Sequence, residues 1–181
     1  MTDQVFPWLE LQRHQHAHDV DYHPEIVSLP TADKLKHMTL HNAKYAARFL
    51  ESELSGDDEL FRRTLVDAFV ISLATANALT QRLAKHAVGI STNGGKENSV
   101  AFTRRYLEQT GRMAKACESI DHLEPFPFRE TIASANARIA GLIRETAVQR
   151  SFDIVDDYRA RIAQVEEKSG FAMFHPAEDR H

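Results

Sequence analysis

The stretch FRRTLVDAFVISLATANAL (residues 61–79) carries the clearest indication of the fold. Apolar side chains recur in and around it at close to the period of one helix face: Leu60, Leu65, Phe69, Leu73, Ala76 and Leu83. Polar residues interrupt the apolar run, which falls short of the ~20 apolar residues that span a membrane. The stretch therefore predicts a buried helix in a bundle rather than a membrane span.

Outward from this stretch, the chain divides into five predicted helices. Asp57 or Asp58 is predicted to cap the second helix and Asp153 the fifth, because an aspartate before a helical run accepts hydrogen bonds from the first turn. Pro125 and Pro127 cannot lie inside a helix and predict a loop before the fourth helix. Two-residue alternation, the sign of a strand, is almost absent. The predicted helices cover about 31–54, 57–86, 99–119, 129–150 and 153–168.

The two predicted hairpins resemble each other at an offset of 67 residues. FRRTLVDA from Phe61 aligns with FRETIASA from Phe128, Leu40 aligns with Leu107, and Ala47 aligns with Ala114. A duplicated helical hairpin would give this pattern, and so would two amphipathic hairpins of similar composition. The predicted fold class is all-α: a helical bundle of two related hairpins plus a C-terminal helix.

The predicted organisation is one bundle with an arm and a tail. Residues 1–30 are predicted to form an extended N-terminal arm, and residues 31–170 the bundle. Within the bundle the hairpins cover 31–86 and 99–150, a polar linker covers 87–98 and the closing helix covers 153–168; residues 171–181 form a tail.

Composition narrows the class of protein. The net charge of −4 provides no basic footprint, so broad nucleic-acid binding is not expected. The N-terminus lacks a basic segment followed by an apolar run, which disfavours a signal peptide. The single cysteine, Cys117, lies on an apolar helical face and is predicted to be a small buried side chain in a reducing, cytoplasmic compartment.

Histidines provide the first candidate site. His37 and His41 are four residues apart, so they share one helix face, and with Asp67 they could bind a transition metal. They could equally be polar residues at a seam between helices. The stretch HQHAHDVDYH offers further metal-type side chains that could bind a metal or be incidental: His14, His16, His18, Asp19, Asp21 and His23.

Basic residues provide the second candidate site. They could line a phosphate-binding cleft, or they could form a solvated face paired with nearby acids. The residues concerned are Lys44 and Arg48 in the first hairpin and their rough counterparts Arg104, Arg105, Arg112 and Lys115 in the second.

Three segments resemble successive helices of the MazG-like all-α nucleotide pyrophosphohydrolases. They are YLEQTGRMAKACES (106–119), FRETIASANARIAGLIRET (128–146) and FDIVDDYRARIAQVEEKSGF (152–171). The first hairpin fits the same template, so the resemblance covers roughly residues 31–170.

The resemblance implies a Mg²⁺-dependent reaction that releases pyrophosphate from a (deoxy)nucleoside triphosphate. In that family, ExxE on one helix and ExxD on the next hold Mg²⁺, which activates a water between the phosphates. Asp67 and Glu108 are the clear acids at the matching positions; the others hold His41, Lys44 or Tyr45, Thr64, Arg112, Thr131 and Ser134.

The resemblance therefore assigns roles to a reduced set of residues. Asp67 and Glu108 are predicted to bind Mg²⁺ and to act in catalysis with His41, and His37 and His41 are further metal-ligand candidates. The predicted substrate-binding residues are Lys44, Arg48, Arg112 and Lys115.

Two functions stay open at this stage. The first is a divergent nucleoside triphosphate pyrophosphohydrolase. The second is a catalytically inactive relative that binds a nucleotide or a protein partner through the same cleft, and the loss of most acids favours it chemically. A helical adaptor with a convergent fold is a plainer third. Related bundles often pair, so the resemblance makes a homodimer possible, and the sequence leaves the oligomeric state open.

Overall fold

The structure, a computed structural model, describes residues 6–86 and 99–169. Eight α-helices and no strands occur in these two ranges, which confirms the predicted all-α class. None of these helices is both long enough and apolar enough to cross a membrane. The predicted linker 87–98 and tail 171–181 lie outside the described residues. The helices are α1 (Trp8–Tyr22), α2 (Pro24–Val27), α3 (Thr31–Ser55), α4 (Asp58–Ala78), α5 (Leu83–His86), α6 (Ser99–Asp121), α7 (Phe128–Gln149) and α8 (Ile154–Lys168).

The helix ends follow local chemistry. The Asp57 carboxylate accepts a hydrogen bond from the backbone N–H of Leu60 at 2.8 Å, and Asp153 caps α8 through the N–H of Val155 at 2.8 Å. Both predicted caps are confirmed. Gly56 ends α3 with φ of 69°, a left-handed conformation that glycine adopts without steric cost.

Four long helices form the central bundle. α3 packs against α4 and α6, and α7 packs against the same two helices, so the two hairpins share one core. At its centre, the ring of Phe49 lies 5.2 Å from Phe61, 4.8 Å from Phe102 and 5.0 Å from Tyr106. These aromatic contacts join α3, α4 and α6.

The predicted extended arm is wrong, because most of residues 1–30 that are described are helical. α1 packs on α4 through a stripe at helical spacing: Trp8, Leu11, Gln12, Gln15 and His18. The amide of Gln12 donates to the carbonyl of Gln81 at 2.7 Å and accepts from the N–H of Leu83 at 3.1 Å. Hydrogen bonding thus allows polar residues to fill a buried face that apolar periodicity does not reveal.

The predicted second helix is also divided. α4 ends at Ala78, and Thr80 adopts φ of 53°, which interrupts the helix before α5 begins. The N–H of Gln81 donates to the carbonyl of Ala76 at 2.8 Å, and its side-chain amide donates to Ala133 of α7 at 2.7 Å. The turn is therefore fixed by the neighbouring helix.

Cys117 is buried, as predicted, and its sulfur lies 3.4 Å from the Thr39 hydroxyl. Burial raises the pKa of its thiol, which disfavours the nucleophilic thiolate.

α8 and α1 both pack against α4. The ring of Phe69 on α4 lies 5.9 Å from Trp8 and 6.0 Å from Tyr158. His14 on α1 and Tyr158 on α8 are hydrogen-bonded at 3.0 Å. The outer helices thereby enclose a space against α3 and α4.

Candidate functional site

A cavity of about 260 Å³ lies between α1, α2, α3, α4 and α8. Part of its wall is apolar and includes Met38, Val70, Ile71, Ile162 and Val165. Five histidines also line it, from both candidate stretches of the sequence, and we call it the histidine pocket: His16, His18, His23, His37 and His41. The fold thus joins two stretches that the sequence keeps apart.

His41 forms a polar cluster with three neighbours. Its Nδ1 lies 3.2 Å from the Lys44 ammonium and 3.4 Å from the Tyr45 hydroxyl, and its Nε2 lies 3.2 Å from Nε2 of His37. Because an ammonium can only donate, Nδ1 of His41 accepts, and its proton sits on Nε2 and is donated to His37.

His41 is neutral at physiological pH. Burial, assisted by the positive charge of Lys44, lowers its pKa to about 4. Burial also raises the pKa of Tyr45, which keeps the phenol protonated. His41 and Tyr45 therefore present neutral hydrogen-bonding groups to the pocket.

Asp67 supplies a negative charge to the pocket wall, and two arginines already engage it. One carboxylate oxygen accepts from Nε of Arg161 on α8 at 2.7 Å, and the other lies 3.7 Å from Nη1 of Arg48 on α3. The carboxylate is buried, so these partners compensate the loss of water around it.

The histidine-rich stretch has several surroundings. The side chain of His18 is buried, pairs with Glu166 at 3.1 Å and stacks on Tyr22 with ring centroids 5.0 Å apart. His16 and His23 line the pocket. Asp19 also lines the pocket, whereas His14 contacts Tyr158 and Asp21 is exposed.

Gln15 lines the pocket and carries an unsatisfied acceptor. Its amide nitrogen donates to Asp19 at 2.7 Å, which fixes the orientation of the amide. Its carbonyl oxygen is buried and has no hydrogen-bond partner among the described residues. Such an orphan acceptor is costly, and a ligand N–H or O–H would satisfy it. Burial also raises the pKa of Asp19.

The predicted metal ligands do not meet as a cluster. Among the described residues, no group of three histidine, cysteine, aspartate or glutamate side chains is placed to hold one ion. Asp67, His37 and His41 line the pocket, but Glu108 lies on the exposed face of α6, where it pairs with Arg112 at 3.3 Å. Asp67 and Glu108 therefore lie in different surroundings.

The predicted substrate-binding residues divide in the same way. Lys44 and Arg48 lie beside the pocket through their contacts with His41 and Asp67. Arg112 pairs with Glu108, and Lys115 lies 3.2 Å from Glu118 and 3.1 Å from Glu124 on the surface of α6. Arg112 and Lys115 therefore belong to a solvated basic face paired with nearby acids, which is the alternative interpretation given for them in the sequence analysis.

The sequence does not single out several pocket residues, among them three with polar or charged side chains. Gln15 and Lys34 lie in the wall, on α1 and at the start of α3, and Arg161 reaches it from α8. Arg161 follows Asp67 by 94 residues, and no local pattern links them. Gln15 has no signal in hydropathy either, because the buried stripe of α1 to which it belongs is largely polar.

Comparison of the chain with protein-family models, with curated proteins and with solved structures gives no match.

Proposed function

We propose that the protein binds a nucleotide in the histidine pocket and does not hydrolyse it. This is the second of the two hypotheses that the sequence left open. The observation that carries the proposal is a cavity that combines an apolar wall, the neutral His41 side chain and the orphan carbonyl of Gln15. Apolar walls with a few convergent polar groups are the usual design of a small-molecule site.

The size of the cavity suits the base and sugar rather than a whole triphosphate. At about 260 Å³ it lies just below the usual range of ligand pockets, which starts at about 300 Å³. A planar base would contact Met38 and Ile71, while its ring N–H or amino group would donate to the Gln15 carbonyl. His41 and Tyr45 add further hydrogen-bonding groups.

Cations beside the pocket suit the phosphates. Lys34 lines it and is partly exposed, and Lys44 and Arg48 are exposed or partly exposed next to His41 and Asp67. The ammonium groups and the guanidinium would hold phosphate oxygens at the solvent end. Burial and the nearby Arg48 charge lower the pKa of Lys44, so an added anion would be stabilising there.

The state of Asp67 argues for binding without metal catalysis. An Mg²⁺ ion needs several oxygen ligands, and this carboxylate is occupied by Arg161 and Arg48. Binding of Mg²⁺ would have to displace at least one guanidinium.

The packing of the hairpins supports the MazG-like arrangement of the bundle, which belongs to the proposed inactive relative. α3 packs on α6 and α4 packs on α7, so equivalent helices of the two hairpins are neighbours. A duplicated hairpin with an internal pseudo-twofold axis would produce this arrangement.

Calorimetric titration without metal tests the proposal, using a nucleoside, its monophosphate and its triphosphate. Saturable binding is expected, tighter with phosphate than without. His41→Gln should weaken binding about tenfold, the value of a hydrogen bond of about 1.4 kcal/mol. His122→Gln, at an exposed histidine in the loop after α6, is the matched control and should bind normally.

The phosphate contacts have a second pair of variants. Lys44→Ala should weaken binding of the monophosphate but not of the nucleoside, whereas Lys115→Ala should change neither. The absence of binding by the folded protein to every compound in the panel would refute the proposal.

The hydrolase remains the competing proposal, because Asp67, His37 and His41 share one cavity wall. Pyrophosphate release with Mg²⁺, abolished by chelator and by Asp67→Ala, would establish it in place of simple binding. A triphosphate that binds and stays intact would establish the binding function.

A further inference from the structure

The surface along the seam between α3 and α6 is apolar and exposed, on a side of the bundle that the pocket does not use. Leu40 is 70 % exposed, Leu54 82 % and Leu107 56 %. On α3 the apolar residues recur at alternating steps of three and four, the spacing of a helix–helix contact. We call the following residues the seam face: Leu40, Ala43, Ala47, Leu50 and Leu54 on α3, and Val100, Leu107, Gly111 and Ala114 on α6.

The two stripes lie side by side because α3 and α6 are antiparallel. Near one end Phe49 contacts Phe102, with ring centroids 4.8 Å apart. Near the other end Thr39 lies 3.4 Å from Cys117. This register brings the level of Leu40 close to that of Ala114 and the level of Leu54 close to that of Val100.

Gly111 is unexplained by the folded chain alone. It lies within a 23-residue helix, where glycine is less favourable than alanine. A Cβ at this position would meet no described atom within 4 Å, so nothing in the chain requires its absence. Close approach of a second helix would give Gly111 a role, because the absence of a side chain lets two helix backbones come together.

We propose that the seam face is the interface of a twofold homodimer of this chain. The occupant is a second copy because the face is complementary to itself. A twofold axis at the level of Ala43 and Gly111 places Leu40 against Ala47 of the second copy and Leu107 against Ala114 of the second copy. Large side chains then meet small ones on both helices, and the two Gly111 residues meet near the axis.

Charges at the edge fit the same axis. Arg104, on the α6 stripe, lies opposite Glu118 of the second copy. The exposed residues around the seam carry both signs, which suits a self-complementary contact better than a contact with a strongly charged partner.

The exposed area also suits a dimer. Five aliphatic side chains of this size offer on the order of 100 Å² each, or about 500 Å² in total before their neighbours are counted. A stable interface buries about 800 Å² per partner, and monomers rarely leave contiguous apolar patches above a few hundred Å² exposed.

Sedimentation equilibrium of the full chain tests the proposal. The wild type should approach twice its chain mass of 20.5 kDa. Leu107→Glu should weaken the dimer at least about a hundredfold, since it buries a charge. Val148→Glu, at an exposed valine on α7 outside the seam face, is the matched control and should leave the dimer intact. Circular dichroism checks that both variants are folded.

A cysteine at the axis tests the geometry. Gly111→Cys should form a disulfide between two copies under mild oxidation, because a residue on a twofold axis meets its own counterpart. Val148→Cys should not. A wild type that stays monomeric at high concentration would overturn the proposal. The seam face would then be exposed to solvent or contacted by a different protein. A dimer that resists Leu107→Glu and fails to crosslink at position 111 would equally overturn it.

Discussion

Acidification should destabilise the protein through His41. Its pKa falls from an ordinary 6.5 to about 4 in the folded state. Between these values the unfolded chain binds a proton that the folded chain refuses, so the free energy of unfolding decreases as pH falls. Above pH 6.5 His41 is neutral in both states, and below pH 4 both are protonated. The loss is therefore confined to that window.

The size of the effect follows from the shift. A difference of roughly 2.5 pH units corresponds to about 3.4 kcal/mol at about 1.36 kcal/mol per unit. The side chain of His41 is only partly buried, and solvent screens a protonated imidazole there. We therefore expect a loss of about 1–2 kcal/mol between neutral pH and pH 4.

Urea denaturation at about pH 7.5, 5.5 and 4 measures this loss in the wild type and in His41→Gln. Glutamine cannot titrate, so the difference between the two proteins isolates His41 from the other pocket histidines. The free energy of unfolding of the wild type, relative to that of His41→Gln, should decrease as pH falls. A difference that is constant over the three pH values would refute the reasoning.

Three further substitutions test buried polar contacts. Tyr106→Phe removes the hydroxyl that donates to Asn42. The acceptor left without a partner should lower the free energy of unfolding by about 1–3 kcal/mol, measured as a shift in urea midpoint. The double variant with Asn42→Leu should lose less free energy of unfolding than the two single variants added together. Arg161→Met should destabilise the fold by about 1–3 kcal/mol, because buried Asp67 keeps only Arg48 at 3.7 Å; an unchanged melting temperature would contradict the role of the ion pair. Gln12→Leu should cost about 1–3 kcal/mol and expose α1 to limited proteolysis, since its two contacts to the turn after α4 are lost.

The five predicted helices show where sequence patterns suffice. α3, α4, α6, α7 and α8 bury aliphatic and aromatic side chains, so their period is visible in the sequence, and Asp57 and Asp153 mark two starts by their chemistry alone. α1 escaped prediction because its buried stripe includes Gln12, Gln15 and His18. A polar residue that is buried by a hydrogen bond looks exposed to any argument from hydropathy.

The site was harder to predict than the fold, for a physical reason. His37 and His41 were identified from local spacing, which a helix preserves. Their convergence with His16, His18 and His23 depends on how α1 docks, and no local rule fixes that docking. The MazG-like template predicts acids such as Glu108 at the site, whereas the pocket forms around the histidines.

The composition of the pocket wall from α1 and α8 has a consequence for folding kinetics. The contacts that join these helices span 144 residues between His14 and Tyr158 and 148 between His18 and Glu166. Contacts this distant in sequence close slowly, after the local hairpins have formed. The pocket should therefore be the last part of the molecule to appear during folding and among the first to open in native-state hydrogen exchange. A bound ligand would contact both α1 and α8, so it would slow that opening at both helices.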